Sequence, residues 1–197
     1  MPRVVDHDRR RADVTSAART LIAREGFDAT TIRRVAAEIG SSTTAITHYF
    51  ADKEAMLVAV IQDAWDALTP RIAELADSSP GGLATVRMLL LAALPLDADR
   101  AAEAKVWLAF WSAATTRPDL RQVQRDGYAA FRALLENALE QARERNEIAA
   151  NSSVAMCAEQ LTLSVDGLLV QATLEPDRLP PPRQIAMVDD MLSRLRR

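Results

Sequence analysis

Cysteine is almost absent: Cys157 stands alone, so no internal disulfide can form and a reducing compartment fits. Long apolar runs are missing too. The longest, Met88 to Leu94, is far short of the ~20 residues that a membrane-spanning helix needs. No apolar stretch of the signal-peptide kind follows Arg3, Arg9, Arg10 and Arg11. The expected location is therefore the cytoplasm, with no membrane partner. Glycine is scarce, at 6 of 197 residues, and β-branched runs are few, which argues against a β-rich fold. A hydrophobic content of 49% argues against disorder. His7, His48 and Cys157 offer no metal-ligand spacing. Neither G-x-S-x-G nor H-E-x-x-H occurs, and Asp189 and Asp190 are neighbours that a helix points to different faces. Catalysis, a metal and a cofactor are accordingly not expected.

Alanine, leucine, arginine and glutamate dominate instead, and their propensities favour an all-α fold. Apolar periodicity divides the chain into nine helical segments. The first starts near Asp8, carries Val14, Ala17, Ala18, Leu21 and Ile22, and stops at Gly26. Thr30 or Thr31 caps the second. Asp52 caps a long fourth helix with Leu57, Val60, Ile61, Ala64, Trp65 and Leu68, and Pro70 lies within it as a kink or a break. The clearest break is Ser78-Ser79-Pro80-Gly81-Gly82. Leu83 to Leu94 is the fifth helix, ended by Pro95, and Asp97 or Asp99 starts the sixth. The seventh follows Pro118, and its charged end, Glu140 to Glu147, reads as solvated. Ser152 or Ser153 caps the eighth, Pro176 ends it, and Pro180-Pro181-Pro182 reads as a stiff connector to the ninth.

One stretch organises the rest: TIRRVAAEIGSSTTAITHYF, Thr31 to Phe50. Ile32, Val35, Ala36 and Ile39 share one helical face, and Gly40 suits a left-handed helix end. Ser42 can cap a new helix that buries Ile46 with Tyr49 or Phe50. Two helices joined at a tight glycine turn, the second opening on small polar residues, follow the helix-turn-helix plan for the DNA major groove. Charge is arranged accordingly. Residues 1–53 hold nine Lys/Arg against seven Asp/Glu, and residues 54–197 hold fifteen against twenty. A basic head on an acidic body turns the head toward phosphate. We divide the chain into a DNA-binding domain, 1–53, and a ligand-binding and dimerisation domain, 54–197, with 54–75 as the linking helix.

The first ~65 residues resemble the tetracycline-repressor (TetR) family. The resemblance rests on Ala17-Ala18, Leu21, Gly26-Phe27, Thr30-Thr31-Ile32, Val35-Ala36, Gly40, Tyr49-Phe50, Lys53 and Leu57, with HYFADKEAML the most specific string. It implies three helices for DNA, a fourth that links, and a body that binds ligand and dimerises. The body is similar to the betaine-regulator (BetI-like) subgroup through WLAFWSAA at Trp107–Ala114 and VDGLLVQA at Val165–Ala172. Two positions depart from the pattern. Ser41 stands where the family usually has an apolar residue, which implies weaker packing there. Leu169 stands where the subgroup often has Trp.

Base-edge contacts specify sequence and phosphate contacts position the head. Thr43, Thr44 and Thr47 present hydroxyls and methyls suited to base edges, and Ala45 suits a thymine methyl. By resemblance, Arg33 sits over the groove edge as a bidentate guanine contact, with Arg34 as the alternative. Thr31, Ser42, His48, Tyr49 and Lys53 are phosphate candidates. In the body, Trp107, Phe110 and Trp111 lie on the sixth helix, Tyr128 and Phe131 on the seventh, and Asp166 in an otherwise apolar stretch of the eighth. They form either an aromatic core or an apolar ligand pocket. The subgroup resemblance implies a quaternary ammonium such as choline, for which each ring offers a cation–π face worth ~1–2 kcal/mol. Leu161, Val165, Gly167, Leu168, Ala172, Val188 and Leu192 are the expected dimer surface. The expected function is a homodimeric repressor that binds a near-palindromic double-stranded operator and leaves it when a small-molecule inducer enters the body. A ligand- or protein-responsive activator has the same head chemistry, and a soluble all-α enzyme is the remaining alternative.

Overall fold

Helices begin where short side-chain oxygens accept free backbone N–H groups, and these caps divide the chain. The computed structural model describes the backbone of residues 3–78 and 80–196 and the side chains of residues 9–66 and 80–196. Expectations resting on residues 1–8, Leu68, Pro70, Ser79 and Arg197 lie outside the described side chains. In order come α1 (Arg3–Glu25), α2 (Ile32–Glu38), α3 (Thr43–Thr47), α4 (Lys53–Ser78), α5 (Leu83–Ala92), α6 (Ala98–Ala114), α7 (Pro118–Glu144), α8 (Val154–Leu174) and α9 (Pro181–Ser193). The fold is all-α, and α1 begins before Asp8. Thr31 and not Thr30 caps α2, accepting from Arg34 N at 3.3 Å. Ser42 Oγ accepts from Ala45 N at 3.1 Å, and Asp52 Oδ1 from Ala55 N at 2.7 Å. Asp97 Oδ1 accepts from Arg100 N at 2.9 Å, and Ser153 Oγ from Met156 N at 3.4 Å. α4 continues through Pro70 to Ser78.

Two sequence expectations are corrected by how helices start. The charged end of α7 is not simply solvated: Glu147, just past it, accepts Leu83 N at 2.7 Å and so caps α5, which has no capping side chain of its own. The three prolines are not a connector. Pro180 is the N-cap of α9 at φ −64°, and Pro181 and Pro182 form its first turn. A first turn leaves its N–H groups unbonded anyway, so proline loses nothing there and arrives with the helical φ preset.

The chain forms two compact units, each made of two stretches of sequence. One is Met1–Asp66 with Lys105–Gln124; the other is Ala67–Ala104 with Arg125–Arg197. The reason is packing. α4 gives Met56, Leu57, Val60 and Ile61 to the same core as Val14, Leu21, Val35, Ile46 and Phe50. Val106, Phe110, Ala114 and Leu120, from the α6–α7 region, join that core. Burying each of these large side chains contributes ~1.5–3 kcal/mol. In the second unit α5 packs on α9 and on α8, and α8 packs on α9. Leu90, Leu94, Leu135, Leu139, Ala158, Val165 and Val188 are buried there.

Candidate functional site

α2 ends at Gly40 with φ +62°, where only glycine is unstrained. A Cβ on Gly40 would meet nothing within 4 Å, so the demand is on the backbone and not on space. Ser41 N then donates to Ala36 O at 2.8 Å, closing the helix end. Ser41 is exposed and supplies only that N–H, so its polarity does not weaken the core as expected. Ala36 is buried where α2 and α3 cross, and Ile46 and Phe50 fill the angle behind α3.

That packing leaves Ser42, Thr43, Thr44, Thr47 and His48 exposed and Ala45 and Tyr49 half-buried. The threonines differ in chemistry. Thr47 Oγ1 donates to Thr44 O at 3.1 Å, so its oxygen faces outward as an acceptor. The hydroxyls of Thr43 and Thr44 keep both donor and acceptor capacity. His48 stands edge-on to Tyr49, with ring centres 5.5 Å apart. Tyr49 also packs on the head core.

The arginines of α2 separate. Arg34 pairs with Glu25 at 2.5 Å, and Glu25 also takes Arg24 at 3.0 Å. Arg24 in turn donates to Glu38, whose carboxyl it holds below the usual range by hydrogen bonding and charge. Arg33 is exposed and makes no ion pair among the described residues. Lys53 Nζ donates to Asp28 O at 2.9 Å and lies 5.9 Å from the centre of the Phe27 ring. One of its three N–H groups is therefore used inside the head, and two remain. Arg11 lies 5.3 Å over the Phe50 ring.

Of the body residues, Trp107, Phe110 and Trp111 belong to the first unit. Trp107 packs edge-on to Phe110, ring centres 6.3 Å apart, and against Trp65 at 4.8 Å. Phe110 is fully buried. Trp65 sits on the apolar stripe of α4, and only the tertiary contact marks it as part of this aromatic cluster. Tyr128, Phe131 and Asp166 belong to the second unit, where Phe131 is buried. Tyr128 Oη donates to Asp166 Oδ2 at 2.6 Å. Burial pushes the Asp166 carboxyl up to about 6, although the Tyr128 hydrogen bond and the charge of Arg132 pull the other way. Arg132 lies 5.9 Å from the Tyr128 ring centre and pairs with Glu159 at 3.6 Å.

The expected dimer surface is corrected. Leu161, Val165, Leu168, Ala172, Val188 and Leu192 are buried within the chain's own core and are not presented to a second copy. α8 packs on α5 and on α9. Gly167 is half-buried, and a Cβ there would meet nothing within 4 Å. The outward faces carry Met156, Leu163 and Leu174 on α8 and Met187 on α9, four of the five exposed large hydrophobic side chains described. Leu163 and Met187 line an open groove of about 880 Å³ between the two helices. No helix among the described residues is long and apolar enough to cross a membrane.

A small helical head that turns at Gly40 and presents a threonine-bearing helix is the working part of a helix-turn-helix DNA-binding protein. The chain belongs to the tetR family of bacterial regulatory proteins, whose model matches residues 14–60. Residues 83–197 match the C-terminal part of the BetI-type transcriptional repressors. It is 28% identical to the HTH-type transcriptional regulator PksA of Bacillus subtilis over 179 residues, 91% of this chain and 86% of that protein. It is 30% identical to the HTH-type transcriptional regulator BetI of Burkholderia mallei over 203 residues, 99% of this chain and 97% of that protein. A transcriptional regulator of Saccharomonospora viridis, solved in complex with choline, shares the fold with a TM-score of 0.89 at 20% identity, over 94% of this chain and 96% of that one.

Proposed function

We propose that two copies of this chain repress transcription at a near-palindromic operator and leave it when a small molecule binds the C-terminal body. The observation that carries the reading is the contrast within the head: Ile46 is buried while Thr43, Thr44, Thr47 and Arg33, which has no ion pair among the described residues, are exposed. Arg33 reads guanine, a contact that discriminates by ~1–3 kcal/mol, and the threonines read neighbouring edges and thymine methyls. Ser42, Thr31, His48, Tyr49 and Lys53 hold phosphate, and Arg34 is set by Glu25. The apolar outward faces of α8 and α9 support a two-fold interface between copies. Such a dimer places its two recognition helices ~34–36 Å apart, or a multiple of that. The site of action is the bacterial cytoplasm, where operator DNA lies.

For the ligand we read a quaternary ammonium such as choline. The aromatic faces of Trp65 and Trp107 support it, as does the choline held by the Saccharomonospora viridis protein. Binding is transmitted through α4, which starts in the head core and runs to Ser78. A coupling of ~1–3 kcal/mol weakens operator binding 5–150-fold. Gel shifts on DNA upstream of the chain's own gene test the reading. The expected result is a specific shift at moderate salt that Arg33→Ala and Thr44→Ala weaken. No specific shift, with both variants indistinguishable from the parent, sinks it.

A further inference from the structure

Along its inner stripe α7 buries Leu120, Gln124, Phe131, Leu135, Ala138 and Leu139. Gln124 is the polar one, and it is only 8% exposed. Its amide nitrogen and its amide oxygen are both buried, and neither has a hydrogen-bond partner in the structure. One turn before it, Leu120 belongs to the core that holds Phe110, with Trp65, Trp107 and Trp111 packed against that core. A glutamine amide brings two donors and an acceptor with two lone pairs. Leaving both ends unmet in an apolar setting costs stability that leucine at the same place does not. A bound molecule that meets both ends of the amide would recover that cost.

We propose that Gln124 is the polar anchor of the ligand, taking a group that donates and accepts at once, a hydroxyl or a carboxamide, on an otherwise apolar or quaternary-ammonium body. The assignment rests on the reading of the chain as a ligand-released repressor. It adds what that reading lacks, because aromatic faces account for the cationic end of an amino alcohol but not for its hydroxyl. A ligand hydroxyl accepts from Nε2 and donates toward Oε1, so one group meets both unmet atoms of the side chain. A site built around such a bond discriminates strongly against an analogue that lacks the hydroxyl, because the buried amide is then left unpaired.

The test uses the full chain, choline, and propyltrimethylammonium, in which a methyl replaces the hydroxyl. Calorimetric titration of the parent is expected to show choline bound at least ~10-fold more tightly than propyltrimethylammonium. In Gln124→Leu and Gln124→Met the preference disappears while propyltrimethylammonium binds as before. Without ligand, both variants are expected to melt ~2–4 °C higher than the parent, since an unmet amide has been removed. A variant that keeps the preference for choline overturns the proposal. So does a variant that melts lower, which is the behaviour of an amide already satisfied by a resident water. If neither quaternary ammonium binds, the choline reading fails separately. Gln124 then stands or falls on the melting temperatures alone: a rise in both variants supports it, and no rise overturns it.

Discussion

The hydroxyl of Tyr128 donates to Asp166 Oδ2 at 2.6 Å, joining α7 to α8 across 38 residues of sequence. The bond explains why a carboxylate tolerates an apolar stretch of α8. It does not restore the ordinary acidity, since burial outweighs it and the carboxyl titrates at about 6 against 3.8 for an exposed one. Between those values the folded chain holds a proton that the unfolded chain has released. The sign follows: this group makes the protein less stable as pH rises from about 4 to about 6, by ~2–3 kcal/mol, and adds no slope above that. Denaturant unfolding from pH 4 to 7 should show that slope, and Asp166→Asn should remove it. Tyr128→Phe deletes the bond that lowers the carboxyl, so its decline should extend to higher pH.

Ser42 holds the start of a helix only five residues long, Thr43 to Thr47. Its Oγ meets one of the free N–H groups of that first turn, Ala45 N. Ser42→Ala should cost ~1 kcal/mol by thermal unfolding and weaken operator binding further, because the same hydroxyl is a phosphate candidate. Ser42→Asp keeps the cap and puts negative charge toward the backbone of DNA. It should match the parent in stability and still bind operator poorly.

Arg33 and Arg34 are adjacent, but only Arg34 pairs with Glu25. Arg33→Ala should lose ~1–3 kcal/mol on the operator and relax the preference at one base pair, as read by anisotropy with single-base variants. Arg34→Ala and Glu25→Ala should weaken binding by similar, smaller amounts without changing which base is preferred. Equal loss of base preference from Arg33→Ala and Arg34→Ala would contradict the separation seen at the Glu25 pair.

Leu163 is 63% exposed on the outward face of α8 and Leu161 is 5% exposed on the inward one. Leu163→Glu should give a folded monomer by sedimentation, with normal helix content and greatly weakened operator binding. Leu161→Ala should instead lower stability by ~2–5 kcal/mol and leave the oligomeric state of the folded fraction unchanged.

Those two leucines also show where sequence reasoning stopped. Periodicity identified α8 as a helix with an apolar stripe, and a stripe at helical spacing is what a core demands. Which stripe faces the chain's own α5 and α9, and which faces outward, depends on tertiary packing that no local spacing encodes. The same limit applies to Arg33 and Arg34: the family resemblance favoured Arg33, but only tertiary packing brings Glu25 of α1 beside Arg34. The caps at Thr31, Ser42 and Asp52 and the turn at Gly40 were legible, because each is a local demand of the backbone on a particular residue type. Glu147 was not, since it caps a helix 64 residues earlier. Pro180–Pro182 misled because three prolines in a row suggest an extended spacer, whereas a helix's first turn accepts them equally well. Gln124 had a signal that went unused: it falls four residues after Leu120 and seven before Phe131, at core positions of an otherwise apolar stripe.

The most direct test of the account is a footprint of the full-length chain on DNA upstream of its own gene. The expected result is one protected near-palindrome with half-site centres ~34–36 Å apart or a multiple of that, lost together in Arg33→Ala and in Leu163→Glu. Protection without a two-fold pattern, or unchanged in both variants, would contradict a dimer that reads its operator through α3 and Arg33.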